Sequence, residues 1–343
     1  MNRIRFATLI LGKSLTPQKT AMKKWIGIFF VLISAAALVA QAPAGKDLGW
    51  AFPTAAMVVN KPPLPEKDEG QLTIEGSGKS HTMPQIENLN APPDWFPNEH
   101  APAPRVVTDG SVNKGFACGS CHLMNGLGHP ESGDIQGLTP EYFIQTMKDF
   151  KSGKRKDPIR MTAIAQSTSD EDIAAAAEWF ASLKTPAAPW IKVIEQNTVP
   201  KTYLGQGRMR FIDPDVKTTE PIGNRIIMLP MDTKRARLRD PRSGAGFNAL
   251  VPVGSVAKGK VLAQTGGNGK TVECAICHGE GLKGLGNVPR LANVHPIYLV
   301  RQLYNFQTGA NSSTNAALMK RVVAKLTDED IVNLAAYAAS LTR

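Results

Sequence analysis

Two pentapeptides constrain this chain more than anything else in it: Cys118-Gly-Ser-Cys121-His122 and Cys274-Ala-Ile-Cys277-His278. They hold all four cysteines of the 343 residues. Two intervening residues set a pair of thiols one helical turn apart, the spacing of the haem vinyl groups, and the next histidine turns under the ring towards the iron. Three other uses of such pairs compete. A redox dithiol of the thioredoxin type has no need of a histidine in the next position, twice. A four-cysteine zinc site brings its pairs close in sequence, whereas 152 residues separate these. Two disulfides suit an oxidising compartment but leave both histidines without a reason. The spacing therefore predicts two covalently bound haem c groups, one on Cys118 and Cys121 with His122 on the iron, the other on Cys274 and Cys277 with His278.

The flanks of the two motifs repeat. At an offset of 156, Cys118 falls on Cys274, Tyr142 on Tyr298, Phe150 on Phe306 and Gly153 on Gly309. The offset then becomes 158, and Met161 falls on Met319, Ile173 on Ile331 and Trp179 on Tyr337. Repetition of this kind is the signature of a duplicated domain. The helical punctuation repeats too. Thr139-Pro140-Glu141 starts a helix with a capping hydroxyl and a first-turn proline. Ser169-Asp-Glu-Asp172 and Thr327-Asp-Glu-Asp330 start the last helix of each copy, with acids set against the helix dipole.

An iron that only carries electrons has a sixth ligand, and methionine raises its potential. After His278 the candidates are Met319 and, as a nitrogen ligand, His295. In the first copy Met124 is too near His122 to reach round the ring, and Met147 falls on Leu303 within an amphipathic helix, which reads as packing. Met161 falls on Met319 and is expected in a loop between helices. The pair Met161 and Met319 is therefore expected on the two irons. The ligating histidine also needs an acceptor for its other ring nitrogen. In the second copy the Pro289 carbonyl is well placed. In the first, Gly133-Asp134-Ile135 stands where Pro289-Arg290-Leu291 stands in the second, no equivalent is evident, and Pro130 is a weaker candidate.

Taken together, each copy resembles a class I cytochrome c domain: C-x-x-C-H, a Pro-x-Leu segment, a Tyr-containing helix, a methionine and a final helix. The resemblance covers residues 112–186 and 253–343. The second copy also has the family's N-terminal helix, in Gly254-Ser-Val-Ala-Lys-Gly259. The first departs from the pattern, because Pro102 and Pro104 interrupt the approach to the haem, Leu123 replaces a glycine and Pro-x-Leu is missing. The resemblance implies a mainly α fold of two tandem cytochrome c class I domains, with a long irregular N-terminal arm (41–111) and a basic connector (187–252). It also implies that binding haem and moving electrons is the whole activity.

Lys23 and Lys24 precede an apolar run from Trp25 to Ala40, and small residues follow. This reads as an export signal over 1–40, with Met22 as the better start and cleavage after Ala40. The run is shorter than the roughly 20 residues of a spanning helix. An uncleaved signal would instead tie the chain to the membrane. Residues 1–40 carry six bases and no acids, so their loss lowers the formal charge from +11 to +5. Four haem propionates would offset most of the remainder, which removes the argument for nucleic acid. The connector carries eleven Lys or Arg and six acids, densest at Lys234-Arg-Ala-Arg-Leu-Arg239. Those arginines are expected near haem propionates before any docking role. Within the connector, Ile226 to Pro230 reads as a short strand.

The expected function is a periplasmic two-haem cytochrome c that passes electrons between a donor dehydrogenase or membrane quinol oxidase and a terminal oxidase or reductase. It would serve either as a free carrier or as the cytochrome subunit of a dehydrogenase complex. The competing reading is a two-haem peroxidase with one iron open to peroxide, for which His129 and Glu131 are the nearby acid–base groups.

Overall fold

Helix boundaries in both halves follow the capping chemistry. The Thr139 hydroxyl accepts from the Tyr142 amide at the start of Pro140–Lys151, and the Ser169 hydroxyl accepts from Asp172 at the start of Asp170–Ser182. In the second half Thr327 and Asp330 satisfy each other reciprocally at the start of Asp328–Ser340. Each such cap contributes about 1 kcal/mol. The Pro296–Thr308 helix ends on Gly309, whose φ of +76° glycine adopts without a Cβ clash. The computed structural model describes residues 47–59, 70–110, 115–184, 186, 188–205, 208–244 and 246–343. The expected export signal, with Met22 and Ala40, lies outside the described residues. Among the described residues no helix is long and apolar enough to cross a membrane.

The first half packs Pro140–Lys151, Met161–Ser167 and Asp170–Ser182 around Val106, Val107, Phe143, Met147, Phe150, Ile173 and Phe180. Its approach segment is cut to a single turn, Arg105–Thr108, directly after Pro102 and Pro104. The second half keeps a full first helix, Ser255–Thr265, which crosses Asp328–Ser340. The crossing is tight enough that a Cβ on Gly259 would come within 2.0 Å of the Asn333 carbonyl oxygen, so glycine is required there.

The connector holds more strands than the one expected at Ile226 to Pro230, which forms as Ile227–Pro230. Ile191–Glu195 pairs in parallel with Phe247–Val251, and Ile227–Pro230 pairs antiparallel with the other edge of Phe247–Val251. Two further short antiparallel pairs join Thr198–Pro200 to Thr219–Pro221 and Thr202–Leu204 to Arg210–Ile212. One face of the main sheet feeds Ile191, Phe247, Ala249 and Val251 into the core of the second half, beside Trp190, Ile297, Val300 and Ile331. Leu48 and Trp50 of the arm, and Leu123 and Leu127 from the first half, enter that same core. Burial of each such large side chain contributes about 1.5–3 kcal/mol. The core of the second half therefore holds arm, connector and both halves together.

Polar contacts between the halves reinforce this. Lys156 donates from its amide to the Ala310 carbonyl at 2.9 Å, and Ser312 does the same to Lys154 at 2.7 Å. Arg155, buried, donates to the Tyr298 hydroxyl at 3.1 Å and to Gln302 Oε1 at 2.8 Å. The Asp134 carboxylate lies between Arg290 and Arg343, at 3.0 and 2.6 Å.

Candidate haem sites

The first motif forms a one-turn helix, Cys118–His122, entered from an extended Ala117. The second forms Ala275–His278, with Cys274 at its N-cap. One turn brings both thiols to the same side and carries the histidine past them. All four cysteines are unpaired. Burial pushes the Cys118 thiol up to about 12 and the Cys274 thiol up to about 11. A dithiol redox centre works through a thiolate with a lowered pKa, so these are poor candidates for that chemistry.

Each histidine is fixed by a backbone carbonyl. His278 Nδ1 lies 2.7 Å from the Pro289 oxygen, and His122 Nδ1 lies 2.7 Å from the Gly133 oxygen. A carbonyl only accepts, so Nδ1 carries the proton and Nε2 keeps its lone pair for a metal. Burial lowers the pKa of both imidazoles, which favours the neutral, ligating form. Gly133 and Pro289 are related by the same offset of 156 as the motifs. The first half therefore does have an acceptor equivalent to Pro289, and Pro130 does not serve. The sequence signal was the offset itself, obscured because glycine stands there where the second half has proline. A carbonyl acceptor does not depend on the side chain that follows it.

The residue after each histidine turns the chain sharply. Gly279 has φ +75° and ψ 170°, a region that glycine enters freely. Leu123 holds nearly the same conformation, φ +65° and ψ 158°. For leucine this costs on the order of 1–3 kcal/mol. Its side chain is fully buried in the core of the second half, and that burial offsets the strain.

A cavity of about 750 Å³ adjoins the first motif. Cys118, Cys121, His122, Phe143, Met147, Phe150, Ile164 and Ile173 line it, together with Met161. Met161 is not in a loop: it opens the helix Met161–Ser167. Met319 likewise sits within a helix, Ala316–Val323, and packs on the core with Cys274, Leu291 and Phe306. The fit to haem is good on these observations. An apolar cavity carries two thiols at one edge, an oriented neutral imidazole on its wall, and a thioether among its lining groups.

His129 hydrogen-bonds Ser132 Oγ at 3.2 Å, and Glu131 pairs with Arg301 at 2.9 Å. His295 is buried beside Trp190 and Phe247. In the connector, Arg237 pairs with Glu87, and Arg239 donates to the Ser120 carbonyl at 2.8 Å. Both line the first cavity. Asp134, Arg155 and Tyr298 were not legible as a group, because no motif joins residues this far apart in sequence.

Residues 256–342 match the family model for cytochrome c. Over 75 residues the chain is 36% identical to cytochrome c-554(548) of Halomonas halodenitrificans, an alignment covering 22% of this chain and 90% of that protein. The chain belongs to the cytochrome c family. Longer alignments extend the likeness of this cytochrome across both halves. It is 23% identical over 232 residues to cytochrome c4 of Pseudomonas aeruginosa, covering 66% of this chain and 85% of that one. It is 24% identical over 241 residues to the thiosulfate dehydrogenase electron acceptor of Stutzerimonas stutzeri, covering 69% and 85%. This is a two-haem c-type cytochrome that transfers electrons, and its two haem c groups are covalently bound.

Proposed function

We propose that this cytochrome takes single electrons from a dehydrogenase or a membrane quinol oxidase on the exported side of the membrane and delivers them to a terminal oxidase or reductase. In this reading Cys118 and Cys121 hold one haem and Cys274 and Cys277 the other. His122 and Met161 ligate the first iron, and His278 and Met319 the second. The group supplies one-electron cycling of its iron. The protein's part is to orient His122 and His278 through the Gly133 and Pro289 carbonyls, to keep both imidazoles neutral, and to close the sixth position with a thioether. The observation that carries the reading is the matched pair of histidine–carbonyl bonds, set at one offset in two halves that each also present a methionine. A dehydrogenase as donor is supported by the likeness to a thiosulfate dehydrogenase electron acceptor. Export rests on the 1–40 segment. An uncleaved segment would keep the cytochrome at the membrane, and a fixed place as the cytochrome subunit of a dehydrogenase complex is compatible with the same chemistry.

The test is ligand replacement in the haem-loaded protein. Met161→Ala and Met319→Ala should each remove half of the weak long-wavelength band of methionine-ligated ferric haem. Met147→Leu should leave it whole. Turnover of hydrogen peroxide at a high-spin haem in the unmodified protein would overturn the carrier reading.

A further inference from the structure

The two haem-attachment loops differ in what lies on them. Ser120, between Cys118 and Cys121, is 1% exposed, whereas its counterpart Ile276 is 67% exposed. The group that meets Ser120 comes from the connector. Arg239 donates from Nη1 to the Ser120 carbonyl oxygen at 2.8 Å. It lines the cavity beside Cys118 and Cys121, and also a second cavity of about 340 Å³ lined by Gly119, Met124 and Trp95. Among the described residues no guanidinium donates to the Ile276 carbonyl.

Arg239 is held in this place at a backbone cost. Its φ is +62°, in the left-handed region that a residue with a Cβ adopts only under constraint. Hydrogen bonds on either side fix it there. Trp95 of the arm donates from Nε1 to the Leu238 carbonyl at 2.8 Å, and Asn125 of the first half donates to the Arg239 carbonyl. The charge has no counter-ion. Among the described residues no carboxylate pairs with Arg239, because the nearby acids are already engaged. Glu87 holds Arg237, and Asp240 is shared between Arg242 and Asn125. Burial lowers the pKa of Arg239, but from so high a starting value that the guanidinium stays protonated. A strained segment thus presents a desolvated, uncompensated cation to the loop that carries both thiols.

We infer that Arg239 sets the reduction potential of the first haem, holding it above the value that the same loop would give without a cation. An oxidised iron carries one more positive charge than a reduced one. A cation in a water-poor site nearby therefore disfavours the oxidised form. One electron is taken up in the step, and no proton or bond moves. The second loop, with Ile276 in water, has no such cation, so the bias acts on the first haem and draws electrons from the second half towards the first. This inference deepens the electron-transfer reading above and rests on attachment of the first haem at Cys118 and Cys121.

The test is a spectroelectrochemical titration of the full haem-loaded chain, with Met161→Ala used to assign the wave of the first haem. Arg239→Gln can still donate to the Ser120 carbonyl but carries no charge. It should lower the first potential by about 59 mV, a tenfold change in a one-electron equilibrium, and leave the second nearly unmoved. Arg239→Lys keeps the charge and should hold most of the wild-type value. The long-wavelength methionine band should persist in both variants. An unchanged first potential in Arg239→Gln overturns the inference. So does an equal drop in Arg239→Lys, or loss of the band in both, since either would make Arg239 a packing residue only. If the unmodified protein does not give two one-electron waves, or if Met161→Ala moves neither, the carrier reading and its ligands have failed instead.

Discussion

The ring of Tyr298 packs so closely on Gly133 that a Cβ there would lie 3.0 Å from it. The same glycine offers its carbonyl to His122. The first half thus has glycine, where the second has Pro289, at the point where Tyr298 of the second half presses against it. Gly133→Ala should push Tyr298 and the carbonyl apart and cost about 1–3 kcal/mol in stability. A redox titration should find the potential of the first haem moved and that of the second unchanged. Equal shifts at both haems would mean that Gly133 does not act through His122.

Leu123 predicts an inverted substitution order. Leu123→Ala keeps the strained backbone and loses the buried side chain, at about 2–5 kcal/mol. Leu123→Gly loses the same side chain but relieves a strain of order 1–3 kcal/mol. Glycine should therefore be the milder change by about 1 kcal/mol in denaturant unfolding. An alanine variant more stable than the glycine variant would show that no strain is stored there.

Asp134 is a buried anion shared by two guanidinium groups. Asp134→Asn leaves Arg290 and Arg343 facing each other without compensation and should cost about 3–5 kcal/mol. Adding Arg343→Gln should recover part of that loss, because the two residues act as one network. Simple additivity in chemical denaturation of the haem-loaded protein would remove the network from the account.

Burial lowers the pKa of His295 to about 3. An unfolded histidine titrates near 6.5. Between these values the unfolded chain binds a proton that the folded one refuses, so stability falls as pH drops through this window, by at most about 1.4 kcal/mol per pH unit. Above 6.5 the group contributes no slope. His295→Phe, set among Trp190 and Phe247, should remove this part of the acid sensitivity. The difference between wild type and variant, followed from pH 7 to pH 4, isolates it from the carboxylates. A difference that stays constant across the window would exclude His295.

The amino-acid sequence by itself determined everything that depends on neighbours along the chain. The thiol spacing and following histidine of Cys118 to His122 and Cys274 to His278 are local, as are the caps at Thr139, Ser169 and Thr327. The duplication was legible because 156 and 158 are simple offsets. It did not reveal Gly133 as the partner of His122, because a carbonyl acceptor has no side-chain signature by which to be recognised. What only the tertiary structure decided depends on residues far apart in sequence. Only Ile226 to Pro230 of the connector was legible as a strand, and the sheet holds together because Phe247–Val251 pairs on both edges and buries its inner face in the core of the second half. The covering of Ser120 by Arg239, and the exposure of Ile276, follow from where the arm and connector come to rest. Two near-identical motifs became unequal sites because packing covered one attachment loop and left the other at the surface.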